Sequence, residues 1–366
     1  DVCSSDLLYP SMQSLGLYVR KDWLDKLQMD MPVTLDDYLA FFEAVKTTDL
    51  NGNGKNDEIP LFLTKEMHPY NYPLHGYFGL FPGSWRLVVG EVQPDIIQPG
   101  MKEVIAFYKM LYDKGYVNQD MFTVGLDQRG GIVLNQPVGM FMHDVQHSGR
   151  LGYYGNPDNY KQEGVDIAVL AGPLTADGQK RLAPAKVPIY ELFLINSKTP
   201  HPERIVQFFD MLVSDDPKIK EFYLYGVEGR NYTRNSDGSI QWDPLDPVNL
   251  SERGVYQSLF SLVKGDLRAS KDSLAFDPKG EMVIKAQEEV LQAADDRGIL
   301  KYMPTLKAFV ENPQLNSSGL FADMFAKAVL GREPIDQAFD QFVKDWRAQG
   351  GNDAIREATE WYLSMK

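Results

Sequence analysis

Residues 49 to 58 are the part of this 366-residue chain whose residue types and spacing point most clearly to chemistry. The segment reads Asp-Leu-Asn-Gly-Asn-Gly-Lys-Asn-Asp-Glu. Side-chain oxygens recur along it at Asp49, Asn51, Asn53 and Asp57. Ca²⁺ prefers hard oxygen ligands, and this spacing matches the first nine positions of a calcium-binding loop, with Gly54 at the sharp turn. The sequence therefore predicts a calcium site.

The end of this loop departs from the standard pattern. The twelfth position, normally a bidentate Glu, is Pro60, so Glu58 could supply that carboxylate instead, and Lys55 would contribute its backbone carbonyl. No residue in the loop is chemically reactive, which predicts a structural ion. The alternative is a polar connection between a helix and a strand in which Asn and Gly serve only the turn geometry.

Composition excludes several classes of partner and site. The chain has 37 Lys plus Arg against 51 Asp plus Glu, which gives a formal net charge of −14. No clustered positive charge suits nucleic acid or anionic lipid. No apolar run reaches the roughly 18–20 residues that a membrane span needs. The single cysteine, Cys3, excludes an intramolecular disulfide and a thiolate metal cluster, and five histidines leave little room for a zinc site.

The sequence favours a binding protein over an enzyme. It lacks the motifs G-x-S-x-G, H-E-x-x-H and C-x-x-C, and it has no Walker loop. The acidic pairs Asp215-Asp216 and Asp295-Asp296 are adjacent, and adjacent residues do not face each other on a helix. A glycosidase needs two carboxyls facing across a cleft at about 5–10 Å, and sequence alone does not exclude that arrangement.

Alternating helical and extended patterns predict an α/β fold. Thr34 is expected to cap a helix with apolar positions from Leu35 to Val45, and Asp37 to complete the capping box. Extended segments are predicted at 15–19, 59–63, 138–142, 165–170 and 187–195. Later helices are predicted at 201–213, 217–225, 250–263, 280–296, 318–330, 335–348 and 353–364, with the Gly350-Gly351 pair separating the last two.

Several motifs together make the chain resemble a known family. They are the segments 17–27 and 32–38, the calcium-type loop running into Glu58-Ile59-Pro60-Leu61, the segment 225–233, and the ending from Phe342 to Tyr362. From residue 15 onward the chain resembles extracellular solute-binding proteins of carbohydrate ABC importers, family 1. It looks closest to the lipoprotein members related to alginate-binding proteins. Each motif is weak singly, and their combination is specific.

The resemblance implies a periplasmic-binding-protein-like fold of type II, with two α/β lobes around a hinged cleft. It implies a monomer that captures an oligosaccharide and delivers it to ABC permease subunits, outside the cell and anchored as a lipoprotein. By position it also implies a calcium ligand set. That set is Asp49, Asn51, Asn53, Lys55, Asp57 and Glu58. A carbohydrate-active enzyme, or a sensing subunit that reports to a membrane kinase, are the alternatives.

The same resemblance divides the chain. Residues 1–14 are expected to be a remnant and lead-in, 15–192 with 300–366 a complete lobe, and 193–299 the remaining part of an N-terminally truncated lobe that lacks its anchor. Segment 187–192 would cross between the lobes. If the second lobe is incomplete, we expect the apolar face of its first helix to be exposed. That face comprises Val206, Phe208, Phe209 and Leu212.

A sugar presents apolar C–H faces and hydroxyls, so its site combines aromatic rings with planar polar side chains. Four segments supply candidates: the aromatic stretch 68–85, the turn after strand 138–142, the crossing segment, and 228–232. The candidate ligand-binding residues are Tyr70, Tyr72, Trp85, His143, Asp144, Gln146, Tyr190, Glu191, Arg230 and Tyr232. Alternatives stay open: Trp85 could pack in the core, and Arg230 could pair with Glu228.

Overall fold

The computed structural model describes most of the chain, with gaps. The described residues are 15–66, 73–144, 154–155, 157–170, 172–174, 178, 194–212, 216–243, 246–256, 281–282, 284–285, 288 and 303–366. The candidate residues Tyr70, Tyr72, Gln146, Tyr190 and Glu191 lie outside these ranges, as do the predicted crossing segment and the lead-in 1–14.

Helices and short strands alternate through the first half of the described chain, and helices dominate its end. The strands are β1 (Leu15–Arg20), β2 (Ile59–Phe62), β3 (Trp85–Val88), β4 (Glu91–Pro94), β5 (Val138–Asp144), β6 (Ile167–Leu170), β7 (Thr233–Arg234) and β8 (Ile240–Gln241). The helices are α1 (Lys21–Leu27), α2 (Leu35–Thr47), α3 (Pro73–Gly76), α4 (Met101–Asp113), α5 (Leu126–Asn135), α6 (Pro202–Leu212), α7 (Pro217–Tyr225), α8 (Pro247–Tyr256), α9 (Lys307–Glu311), α10 (Ala322–Val329), α11 (Ile335–Trp346) and α12 (Asn352–Ser364).

The main sheet has four strands in the order β2-β5-β1-β6. Strand β1 is antiparallel to both neighbours, with Tyr18 opposite Phe141 on one side and Val169 on the other. Strands β2 and β5 are parallel, with Ile59 opposite Val138. Because parallel strands end at the same edge of a sheet, the segments that follow β2 and β5 leave from one place.

Residues of β1 alternate between two apolar layers, as the two-residue period of a strand requires. Leu17 and Val19 face the larger core, which also contains residues of α2, α4 and the C-terminal helices α10 to α12. Tyr18 faces a smaller cluster, where its ring stacks on Phe141 at 5.1 Å between centroids. The sheet is therefore buried on both sides.

Helix α2 begins as the sequence predicts. The Thr34 side chain accepts a hydrogen bond from the Asp37 N–H, and the Asp37 carboxylate accepts one from the Thr34 N–H at 2.8 Å. The backbone N–H groups of Thr34 and Val33 lower the pKa of Asp37. This reciprocal pair is the predicted capping box, and it fixes where the helix starts.

The β3–β4 hairpin is a feature that the sequence interpretation missed. It lies against α12, where the Val92 N–H donates to Thr359 Oγ1 at 2.9 Å. Its turn places Val89 and Gly90 at φ +47° and +87°. A two-residue hairpin turn needs this left-handed backbone, which suits glycine and strains a β-branched valine.

The last two helices, α11 and α12, are separated at the glycine pair, as the sequence predicts. Helix α11 ends at Trp346, and α12 begins at Asn352 after Gly350, whose φ is +115°. A side chain at Gly350 would strain the backbone, and one at Gly351 would fall 2.1 Å from the Trp346 ring. The pair therefore allows the two helices to fold back on one core.

Residues 194–256 form a second region built from α6, α7, α8 and the β7–β8 hairpin. The predicted exposure of α6 is confirmed for Val206 and Phe208, which are 48% and 38% exposed. It is wrong for Leu212, which is fully buried. The core around β1 includes residues 306–358, in agreement with a lobe made from both ends of the chain. Met282, assigned by prediction to the other lobe, also packs against it, so the lobe boundaries stay a prediction.

Candidate functional site

The candidate calcium loop connects α2 to β2 and is organised by its own side chains. Asp49 accepts backbone hydrogen bonds from Gly52 at 2.7 Å, Asn53 at 3.1 Å and Gly54 at 2.7 Å. Gly52 and Gly54 have φ of +75° and +81°, and a Cβ atom at either position would meet open space, so the backbone conformation is what favours glycine. The loop is wound around the Asp49 carboxylate.

The side-chain amides of Asn51 and Asn53 converge on Asp57. The Asn51 amide donates to Asp57 Oδ1 at 3.0 Å, and the Asn53 amide donates to both Asp57 oxygens at 3.1 Å. The Asn51 oxygen accepts from the Asn53 N–H, and the Asn53 oxygen accepts from the Lys55 N–H, each at 2.9 Å. The structure thus brings four predicted ligand side chains together on one side of the loop.

The environment of the Glu58 carboxylate shows whether these residues suit a cation. Its side chain is only 3% exposed, and its Oε1 accepts the N–H groups of Leu50 at 2.7 Å and Asn51 at 2.9 Å. Its Oε2 is buried and has no hydrogen-bond partner in the described structure. A buried carboxylate oxygen without a partner is costly, and a hard cation is the partner that such an oxygen takes.

Counting only His, Cys, Asp and Glu side chains, the described residues contain no group of three that could hold a metal. The predicted donor set also contains the amide oxygens of Asn51 and Asn53 and the Lys55 carbonyl. The buried Oε2 of Glu58, which has no hydrogen-bond partner among the described residues, is an acceptor that a cation would satisfy. The donor set suits Ca²⁺ and not a soft metal.

The carboxyl edge shared by β2 and β5 is the second candidate site. After β2, the Leu63 N–H donates to Asn118 Oδ1 at 2.8 Å, and Asn118 Nδ2 donates back to the Leu63 carbonyl at 3.1 Å. The chain leaves the described range after Glu66 on one side and after Asp144 on the other. Tyr70 and Tyr72 follow β2 in sequence, and Gln146 follows β5.

His143 is the predicted ligand residue that the structure shows best at this edge. It is half-buried, and its ring lies 4.6 Å from the ring of Tyr154 and 6.2 Å, edge to face, from Tyr18. The guanidinium of Arg129 lies 5.6 Å from the Tyr154 ring. Sequence reasoning missed Arg129 and Tyr154. The Gly-Tyr-Tyr-Gly segment at 152–155 is the signal that could have found the tyrosine.

Trp85 does not line an open surface. It is 7% exposed, and its ring lies 5.8 Å from that of Phe309. It begins β3 opposite Pro94, beside a buried pair in which Arg86 Nε donates to Asp95 Oδ1 at 2.6 Å. Its burial against Phe309 favours core packing, the alternative that the sequence left open, over ligand stacking.

Arg230 and Tyr232 also have structural partners. Arg230 Nε donates to Glu252 Oε1 at 3.1 Å and to Oε2 at 2.9 Å, and Arg230 Nη2 also donates to Oε1. The alternative partner Glu228 lies instead 3.8 Å from Arg234 Nε, so the structural pair that Arg230 forms is with Glu252. Tyr232 is 6% exposed and donates its hydroxyl to Glu221, and burial together with that carboxylate raises its pKa to about 12.

A groove of about 500 Å³ lies beside β2 and the candidate calcium loop. Lys46, Asp57, Glu58 and Lys114 are among the residues that line it. None of the predicted ligand-binding residues contributes to its walls. Asn118, which pairs with the Leu63 backbone after β2, also lines the groove, so the groove reaches the end of β2 without including His143.

No family profile matches the chain. The chain is 23% identical over 364 residues to the polygalacturonan/rhamnogalacturonan-binding protein YtcQ of Bacillus subtilis, covering 96% of this chain and 68% of that protein. It is 34% identical over 178 residues to the fructooligosaccharide ABC transporter substrate-binding protein FusA of Streptococcus pneumoniae, covering 45% of this chain and 30% of FusA. The chain is a homologue of ABC transporter substrate-binding proteins. The predicted resemblance is thereby confirmed.

Solved structures of solute-binding proteins share the fold. The HMO-binding ABC-transporter-associated protein from Bifidobacterium longum infantis gives a TM-score of 0.63 at 17% identity, over 95% of this chain and 73% of that one. Alginate-binding protein AlgQ2 without calcium ion gives 0.62 at 16%, over 94% and 71%. An EF-hand mutant of S. pneumoniae FusA with fructo-nystose gives 0.61 at 17%, over 99% and 74%. These likenesses confirm the periplasmic-binding-protein-like α/β fold.

Proposed function

We propose that the chain is the substrate-binding component of an ABC importer and captures an oligosaccharide in a cleft between two lobes. The observation that carries the proposal is the similarity over 96% of the chain to a homologue that binds polygalacturonan or rhamnogalacturonan. A second homologue binds fructooligosaccharides, so a saccharide is the shared ligand class. The partners would be the membrane permease subunits, and the protein would work as a monomer.

The ligand site we propose lies at the carboxyl edge of β2 and β5. Ligands of open α/β sheets bind outside the carboxyl ends of the strands. His143 lies at that edge among aromatic rings, and chain continuity brings the residues that follow each strand to the same place. The proposed ligand residues are Tyr70, Tyr72, His143, Asp144 and Gln146, with Tyr190 and Glu191 from the crossing segment. The contacts of Trp85, Arg230 and Tyr232 support structural roles instead.

We further propose that the 49–58 loop holds one structural Ca²⁺. The ligands would be the oxygens of Asp49, Asn51, Asn53, Asp57 and Glu58 and the Lys55 carbonyl. The unpartnered, buried Oε2 of Glu58 supports this proposal. Two structural neighbours, described as lacking a calcium ion and as an EF-hand mutant, support it for the family. When bound, the ion supplies positive charge that fastens α2 to β2.

No catalytic role is proposed. The homologues are binding proteins of transporters, and a lipoprotein is among them, LipO of B. subtilis. In the described part of the chain, no helix is long and apolar enough to span a bilayer. The localisation we propose is extracellular, at the outer face of the membrane, with the full-length protein held there by a lipid anchor.

Isothermal titration calorimetry with a panel of saccharides tests the function. The panel comprises oligogalacturonides, rhamnogalacturonan fragments and fructooligosaccharides, with free glucose as the control. Calorimetry is preferable to intrinsic fluorescence because four of the five tryptophans are buried: Trp23, Trp85, Trp242 and Trp346. We expect saturable binding of at least one oligosaccharide and none of glucose.

The variant His143→Ala tests the site. Loss of a ring and a hydrogen-bonding group should weaken oligosaccharide affinity about tenfold, the equivalent of about 1.4 kcal/mol. The control His201→Ala removes an exposed histidine just before α6 and should leave affinity unchanged. If His143→Ala and His201→Ala bind the oligosaccharide with equal affinity, the proposed ligand site at the carboxyl edge of β2 and β5 is contradicted. Release of new reducing ends during incubation would contradict the assignment as a binding protein.

A further inference from the structure

The candidate calcium loop has a polar contact from outside itself. Lys26, in the last turn of α1, donates a hydrogen bond from Nζ to the Leu50 carbonyl at 2.8 Å. Leu50 lies between the first two predicted ligands and is itself 5% exposed. A helix remote from the loop in sequence therefore holds the peptide at the point where the loop begins.

The same peptide unit holds Glu58. The Leu50 carbonyl and the Asn51 N–H belong to one peptide group, and the Asn51 N–H donates to Glu58 Oε1 at 2.9 Å. An ammonium group on the carbonyl polarises the peptide and strengthens the hydrogen bond that its N–H makes. The contacts thus run from Lys26 through the peptide to Oε1, and they leave Oε2 as the Glu58 oxygen without a partner.

Helix α1 is rigid enough to act as a fixed support. Trp23 and Leu24 are 0% and 1% exposed in the main core. The helix ends in a left-handed Gln28, with the Met29 N–H donating back to the Leu24 carbonyl at 2.9 Å. Because both ends of the last turn are fixed, the Lys26 side chain starts from a defined backbone position.

From these contacts we infer that Lys26 is a positioning residue of the calcium site, acting through the Leu50–Asn51 peptide to orient Glu58. The inference rests on the proposed calcium site. Partners that orient metal ligands commonly change metal affinity 10- to 100-fold when they are removed. The opposing effect is electrostatic, because a positive side chain near the loop repels Ca²⁺. If positioning dominates, removal of Lys26 lowers the Ca²⁺ affinity; if charge repulsion dominates, removal of Lys26 raises it.

Calorimetric titration of chelator-treated protein with CaCl₂ tests the inference. Lys26→Met keeps most of the aliphatic stem and removes the donor, and it should lower Ca²⁺ affinity about tenfold. Lys26→Arg keeps a donor and the charge and should restore most of that affinity. The matched control is Lys21→Met, which removes the same charge from the exposed Lys21–Asp25 pair on the same helix and should leave affinity unchanged.

A second measurement separates positioning from loss of fold. In metal-free protein, Lys26→Met and Lys21→Met should melt at similar temperatures, while the Asn51 amide should exchange with deuterium faster in Lys26→Met alone. Wild-type affinity in Lys26→Met, or tighter binding, would overturn the inference and leave the calcium site standing. Failure of the wild-type chain to bind Ca²⁺, with Asp57→Ala indistinguishable from it, would overturn the calcium site and this inference together.

Discussion

The two regions of the described structure are stabilised in different ways. Around β1, the core buries rings as large as Trp23, Trp346 and Phe325 almost completely. In residues 194–256, by contrast, lie ten of the sixteen large hydrophobic side chains that are exposed in the described part of the chain. Polar contacts connect the parts of that region, among them the Arg230–Glu252 pair and the hydrogen bonds of the buried Asn249 amide.

The difference shows which region depends on burial and which on specific hydrogen bonds. Apolar burial contributes in proportion to area and tolerates changes in polar partners. A region with little apolar burial depends on each buried polar group finding its partner, because a lost partner leaves an uncompensated group. We therefore expect the two regions to respond to different substitutions, and the predictions below run from the largest effect to the smallest.

Trp346→Ala should produce the largest loss of stability, about 3–5 kcal/mol, through the cavity it leaves. The ring is fully buried, and its Nε1 donates to the Leu315 carbonyl at 2.9 Å. Denaturant unfolding followed by hydrogen exchange in each region measures the effect. Trp361→Ala, at a partly exposed tryptophan of α12, is the control and should cost much less. If Trp346→Ala and Trp361→Ala lose similar amounts of stability, the conclusion that burial sets the cost is contradicted.

Calcium removal should come next. A ligand that binds only the native state stabilises it by about 2.7 kcal/mol at a concentration 100-fold above its Kd. A chelator should therefore lower the melting temperature, and Asp57→Ala should mimic it, because Asp57 gathers the amides of Asn51 and Asn53. Differential scanning calorimetry with and without the chelator measures the shift. An unmoved melting curve with no copurifying metal would mean that the loop is only a turn.

Asn249→Leu tests the region of residues 194–256. Asn249 is 1% exposed, and its amide donates to the carbonyls of Asn231 at 2.8 Å and Asp243 at 2.7 Å. Removing these donors should cost about 1–3 kcal/mol, because the Asn231 carbonyl loses a buried hydrogen bond. Hydrogen exchange should show faster opening of α8 with little change around β1. Exposed Asn235→Leu in the β7–β8 turn is the control. A loss spread equally over both regions would contradict separate modes of stabilisation.

Local sequence signals predicted local structure well. The capping box of Thr34 and Asp37 and the helix break at Gly350 were correct, because each depends on residues within a few positions. Helix α5 was missed, because the pair Gly130-Gly131 lies within it and suggests a break. The turn geometry of residues 49–58 is local in the same way, and the calcium that the loop is proposed to hold stays a prediction.

Contacts between distant residues were the ones that sequence reasoning lost. Trp85 was a candidate ligand platform until Phe309, more than 200 positions away, proved to pack against it. The sequence left Arg230 between an acidic sugar and Glu228, and the structure pairs it with Glu252 on α8. No spacing rule relates such pairs, because the fold and not the local chain brings them together. The role of Lys26 beside the loop was unpredictable for the same reason.

The smallest predicted effect concerns Glu252 and pH. The hydrogen bond from Arg230, followed by that from Asn231, lowers the pKa of the Glu252 carboxyl to about 2 from its usual 4.5. A carboxyl whose pKa is lower in the folded state stabilises that state above the unfolded pKa. The stabilisation is then lost as the pH falls from 4.5 towards 2. Protection factors of amides in this region, which compare the measured exchange rate with the intrinsic rate at each pH, should therefore fall over that range before those of the core around β1 do.

Carbon-13 NMR of the Glu252 carboxyl measures this directly, and Arg230→Gln should return its pKa towards 4.5. Arg204→Gln, which removes an exposed arginine on α6, should leave it unchanged and serves as the control. Because the pair is solvent-exposed, added salt should also raise the Glu252 pKa by screening Arg230. If Glu252 titrates near 4.5 in the wild-type chain, the pair does not form in solution. Arg230 is then free to bind the carboxylate of an acidic sugar through two parallel hydrogen bonds.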